Sequence, residues 1–150
     1  MVHALREAHR VLKPDGLLVD LRPAAIHRRV GLTNGIDHDP RWTMRENFDD
    51  DRAADRAVAE VVSKGWFKPG GRKRFPCHRV MDTAGEFQTW LTDFVHKGKF
   101  PPHDWLVRLV EDELARSSAR TRIVVSGPLI LRGLRKRVRN ISDPKTVTLV

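Results

Sequence analysis

The chain has 150 residues and a mass of 17.2 kDa, with 40% hydrophobic and 31% charged residues. That composition suits one packed domain and excludes global disorder. No apolar run approaches the ~18 residues that cross a bilayer. Met1 to Arg10 is mixed and contains Glu7, unlike a secretion signal or an organelle presequence. The single cysteine, Cys77, excludes an internal disulfide framework and points to a reducing cytoplasm. The net charge is +9, and the last nineteen residues hold six Lys/Arg against one Asp, so much of the excess sits in a basic C-terminal segment.

Val2, Leu5, Ala8, His9 and Leu12 recur at helical spacing, and Lys13-Pro14-Asp15-Gly16 stops that helix. Leu17 to Leu21 reads as a buried strand ended by Pro23. Ala24 to Val30 is expected to form a short helical turn. Gly31 to Phe48 is expected to be irregular, with Asn34-Gly35 and Asp39-Pro40 as turn signals. A helix opens at Asp49 to Asp51, carries an Ala/Val stripe from Ala53 to Val62 and is capped at Gly65.

Lys68 to Gly71 reads as a turn and Arg72 to Met81 as a strand. Pro76 assigns that strand to an edge. Thr83 and Glu86 have capping-box spacing and open a helix bearing Phe87, Trp90, Leu91, Phe94 and Val95, closed at Gly98. Pro101-Pro102 introduces another helix with Trp105, Leu106, Leu109, Val110 and Leu114 on its apolar face. Thr121 to Arg132 reads as the last strand, with a bulge at Ser126-Gly127-Pro128. One domain is assigned to residues 1–138, and residues 139–150 read as a basic flexible tail.

The Ala4 to Val19 segment, a helix ending in Leu12-Lys13-Pro14-Asp15-Gly16 and leading into an apolar strand, resembles a segment of class I S-adenosylmethionine-dependent methyltransferases. It matches the passage from their fourth helix to their fifth strand, where Leu-Lys-Pro-Gly-Gly is usual, so Asp15 stands in place of a glycine. The likeness covers most of residues 3 to 136, and Asp82 to Leu91 and Arg122 to Arg135 also look like that family. It implies an α/β fold: a partial Rossmann-like sheet of strands five, seven and six, the last strand antiparallel, with helices on the faces and a helical cap. Strand six would be one edge and Leu17 to Leu21 the other.

The family's glycine-rich loop and ribose-binding acid belong to the half that precedes strand five. No cofactor-binding residue is therefore assigned, and S-adenosylmethionine is implied only through the resemblance. The function expected is a substrate-side or cap half, inactive alone and without assigned catalytic residues. Its Leu17–Leu21 edge should associate with a second copy or with a separate cofactor-binding half. Substrate-side candidates are Asp20 and Arg22, at the end of the first strand, and Trp42. An ion pair at the strand end is an equally good reading of Asp20 and Arg22. Trp90 and Trp105 sit in apolar stripes and read as core.

Two other classes compete. Pro76-Cys77-His78-Arg79-Val80 resembles the active-site pentapeptide of O6-alkylguanine-DNA alkyltransferases, with Cys77 as nucleophile and His78 as its partner. The helix-turn-helix, asparagine hinge and downstream glutamate of that family are missing. The Arg132–Arg139 run suits nucleic-acid phosphates, or simply a solvated segment. His38 with Asp37 and Asp39 reads as a solvated loop, and no metal site is assigned.

Overall fold

A computed structural model describes residues 1–98 and 103–137. In chain order its elements are α1 (Val2–Val11), β1 (Leu17–Pro23), β2 (Arg29–Thr33), β3 (His38–Thr43), α2 (Asp49–Ser63), β4 (Phe67–Met81), α3 (Ala84–His96), α4 (Asp104–Arg116) and β5 (Arg122–Lys136). It is a mixed α/β chain with an open five-stranded antiparallel sheet and four helices.

The helices follow their sequence signals. Leu5 is the buried residue of α1, and Ala54, Ala57, Val58 and Val61 form the buried stripe of α2. Glycines end two helices in the left-handed region, with φ +71° at Gly65 and +66° at Gly98. Thr83 Oγ1 accepts the Glu86 amide at 3.1 Å, and Glu86 in turn accepts the Asp82 amide at 3.1 Å. In α4 the buried residues are Leu106, Val107 and Val110. Trp105, expected in the core, is 50% exposed. The Pro101-Pro102 signal, Val138 and the tail assigned to 139–150 lie outside the described residues.

β5 organises the sheet. Along one side it pairs antiparallel with β4, from Phe67↔Lys136 to Met81↔Ile123. Along the other it pairs first with β2 and then with β1, also antiparallel. β1 and β4 thus run parallel to one another with β5 reversed between them. From Pro23↔Leu129 to Arg29↔Ser126 one strand advances six residues and β5 only three, so the chain loops outward between β1 and β2. β3 pairs with β2 alone.

Four expectations need correction. Ala24 to Val30 is not a helical turn: it is the outward loop and the start of β2. Gly31 to Phe48 contains a β-hairpin. Its two strands become possible because Gly31 has no side chain: a Cβ there would sit 1.9 Å from the Asp39 carbonyl oxygen. The expected turn at Lys68 to Gly71 is absorbed into β4, which starts at Phe67 and bulges between Pro69 and Arg72. The last strand runs on to Lys136, and the Ser126-Gly127-Pro128 segment keeps its register with β4. Among the described residues β4 pairs only with β5, so it occupies an edge, as Pro76 requires.

Two cores lie on opposite faces of β5. Ile123 and Val125 join Val30, Leu32, Met44 and Met81 beneath Phe87, Leu91, Leu106 and Val110 of α3 and α4. Leu134, at an alternate position of the strand, joins Phe67 beneath Leu5, Ala57, Val58 and Val61 of α1 and α2. The helix pairs are also displaced along β5. This leaves Leu17, Val19, Leu21 and Leu131 exposed on the face opposite α1 and α2.

Candidate functional site

A cleft opens where β1 ends. Pro23, the last residue of β1, lines a cavity of about 180 Å³ with Cys77 and Arg79 of β4, Trp90 and Phe94 of α3, and Val125, Gly127, Pro128 and Leu129 of β5. Arg28 lies across it. A Cβ on Gly127 would meet Arg28 Cγ at 2.9 Å, so the glycine lets the arginine stem lie down on the sheet. A second cavity of about 210 Å³ adjoins, lined by Ala24, Glu46, Asn47, Phe48 and Asp51. Pro23, Arg28 and Phe94 line both.

Backbone bonds set the polar groups. The Met44 amide donates to the Arg28 carbonyl at 2.8 Å, and the Glu46 amide donates to His27 Nδ1 at 3.1 Å. Glu46 Oε1 accepts the Arg28 amide at 2.7 Å, while Oε2 meets the Arg28 guanidinium at 3.1 Å. The Glu46 side chain is only 9% exposed. Burial raises its pKa, and the opposing pull of Arg28 does not reverse that shift. A carboxyl so placed is suited to holding or accepting a proton beside the cavity.

The aromatic wall is continuous. Trp90 lies 5.0 Å from Phe94 between ring centroids and 6.1 Å from Phe87. Cations flank it: the Arg28 guanidinium is 5.7 Å and the Lys97 ammonium 5.6 Å from the Phe94 ring centre.

The sequence candidates occupy other places. Asp20 and Arg22 lie on the α2 side of β1. Arg22 donates to Asp20 at 3.1 Å, to the Asp51 carbonyl at 2.9 Å, and to Asp55. Burial lowers its pKa, but the Asp55 and Asp20 contacts outweigh that, and the net shift is upward. This is a strand-end ion pair extended to a helix, and the guanidinium fork is occupied. Trp42 is half-buried against the α3–α4 core. Trp90, read as core, packs against that core and also walls the cavity. Arg28 and Glu46 were not singled out from sequence. They are eighteen residues apart in a segment without periodicity, and only the hairpin brings them together.

Cys77 is exposed and faces the cavity. His78, the next residue of the strand, turns to the opposite face. Its Nδ1 is 2.9 Å from Ser126 Oγ, which also lies 2.9 Å from His38 Nε2. Strand alternation therefore gives thiol and imidazole no shared face on which a proton relay could form. In the basic run, Arg132 pairs with Asp55 at 2.8 Å, Arg135 donates to the Asp15 carbonyl and Lys136 to the Leu12 carbonyl. Those cations hold the fold, and Arg139 lies outside the described residues. Among the described residues there is no group of three or more His, Cys, Asp or Glu able to hold a metal ion. None of their helices is long and apolar enough to cross a membrane.

Among the described residues the cleft is lined by a single glycine, Gly127, and holds no glycine-rich backbone cradle. No family model, curated protein or solved structure matches the chain.

Proposed function

We propose that the chain is the substrate-side half of a class I S-adenosylmethionine-dependent methyltransferase-type domain, with the cofactor held by polypeptide that pairs with the outer edge of β1. The observation that carries the reading is β5 running antiparallel between β1 and β4, which are parallel to one another and connected through the β2–β3 hairpin and α2. In that family strands five, seven and six have this order and these directions. The turn before β1 adds support. Asp15 has φ +56°, the left-handed region that favours glycine, where the family pattern carries glycine.

In this reading the cleft at Pro23 receives the methyl acceptor. Trp90 and Phe94 would wall it, and Glu46, held by Arg28, would take the acceptor's proton. In this reading the cleft supplies no glycine-rich cradle for the cofactor, which is left to the partner polypeptide.

Calorimetric titration of the chain with S-adenosylmethionine tests the division of labour. No saturable heat is expected from the chain alone, and binding is expected once a class I strand-one-to-four half is fused ahead of residue 1. A dissociation constant near or below ~100 µM for the chain alone, about 5.5 kcal/mol, would overturn the reading. So would a folded fusion that still fails to bind.

A further inference from the structure

We propose that the cavity beneath Trp90 binds a single-ring aromatic carboxylate, with its ring against Trp90 and Phe94 and its carboxylate on the Arg79 guanidinium. The inference rests on the reading above in treating this cavity as the acceptor pocket. The binding itself needs no cofactor, so the two proposals fail separately.

Size sets the first limit. A cavity of about 180 Å³ slightly exceeds the ~150 Å³ that holds benzene, which suits one substituted ring. Wall chemistry sets the second. Trp90 and Phe94 present aromatic surface, and Pro23, Val125, Pro128 and Leu129 complete an apolar lining. Rings stack or meet edge-to-face on such a wall.

Charge sets the third. Glu46 is already committed to the Arg28 guanidinium at 3.1 Å. Arg79 lines the same cavity, is exposed, and makes no ion pair or hydrogen bond among the described residues. Lys97, over Phe94, adds a second positive charge near the wall. An acid on the ligand would complete the charge balance, and the planar guanidinium fork matches a carboxylate in two-point contact.

The test is an NMR titration of the isolated chain, following the Trp90 indole signal with benzoate and benzamide as probes. Benzoate should shift the signal saturably. Benzamide should bind at least tenfold more weakly. Arg79→Gln should weaken benzoate at least tenfold and leave benzamide unchanged, and Trp90→Leu should weaken both. Arg79 is exposed on an edge strand, so its variant is expected to fold, which the unchanged amide spectrum verifies. Equal binding of benzoate and benzamide would overturn the proposal, as would unchanged benzoate affinity in Arg79→Gln. Shifts confined to the more open groove around Ile26 and Phe75, or no shift at 10 mM benzoate, would also overturn it.

Discussion

Replacing Val19 by proline removes an amide that points away from the sheet. The Lys136 amide donates to the Gly16 carbonyl at 2.8 Å, and the Ala24 amide to the Pro128 carbonyl at 2.8 Å. Both pairs share the β1–β5 register, so even-numbered residues of β1 bond β5 and odd-numbered ones turn their backbone groups outward. Leu17, Val19 and Leu21 therefore offer three free-edge amides, while Pro23 offers none. Their side chains are 51%, 51% and 55% exposed, and Leu131 beside them is 36% exposed. Completing the burial of these four side chains is worth about 4 kcal/mol, roughly half of the full-burial value for each. Three edge hydrogen bonds at ~1 kcal/mol net add about 3 kcal/mol. Each copy contributes about 7 kcal/mol, so two copies pairing edge to edge gain about 14 kcal/mol against the ~4–15 kcal/mol that free association costs. With a cost of about 8.5 kcal/mol the net is about 5.5 kcal/mol, so a second copy should bind weakly, with self-association appearing above roughly 100 µM. A tethered partner strand, spared most of that cost, would dock firmly. Sedimentation from 20 µM to 1 mM, with hydrogen exchange at residues 17, 19 and 21, reads the difference. Val19→Pro should abolish the association without loosening the β1–β5 ladder. Val80→Lys, a change on the exposed β4 edge, should not. Identical sedimentation for wild type and Val19→Pro across that range, with concentration-independent exchange, would refute an associating edge.

Asp55→Ala should cost about 2 kcal/mol in denaturant unfolding. That lies between the value for a buried pair and a surface pair, because Asp55 is 45% exposed while Arg22 and Arg132 are mostly buried. Burial raises the Asp55 pKa, but Arg22 and Arg132 hold it below the usual value. Its contribution is thus full above the unfolded pKa and lost as pH falls through the folded one, a pH dependence that Asp55→Ala should remove. Gly31→Ala should cost about 3 kcal/mol or more, because the new methyl meets backbone. Gly65→Ala, strained at φ +71° but in open space, should cost about 1 kcal/mol. Asp15→Gly should stabilise by roughly 0.5 kcal/mol, since relief of positive φ exceeds glycine's greater unfolded-state entropy. His38 should titrate below its usual value by NMR, first because of burial and then because His78 stands beside it. Stability linked to His38 is therefore present above pH 6.5 and lost as pH falls through its folded value.

The elements legible in the sequence are those whose determinants are local. Apolar spacing marks α2, a threonine and a glutamate three residues apart start α3, and glycines end both helices in a conformation that other residues resist. Pro76 marks an edge strand because its missing amide proton has no place in a central ladder. Local rules miss β3, whose His38-Asp39-Pro40-Arg41 core shows no alternation. Its pairing depends on the space above Gly31, which exists only once two strands approach. They miss the end of β5 for a similar reason. Arg132 and Lys136 look like a solvated basic segment until Asp55 and the Leu12 carbonyl arrive from distant parts of the chain. They leave Asp20 and Arg22 open between a substrate contact and a strand-end ion pair; the fold pairs the two, and the packing of α2 brings Asp55 and the Asp51 carbonyl onto Arg22. The cleft residues Arg28, Glu46, Arg79 and Trp90 come from four separate segments. The sequence alone marked the four helices and the strands that became β1, β4 and β5. Only tertiary structure decided which side chains share a cavity, because long-range approach, burial and charge pairing exist once the chain has closed on itself.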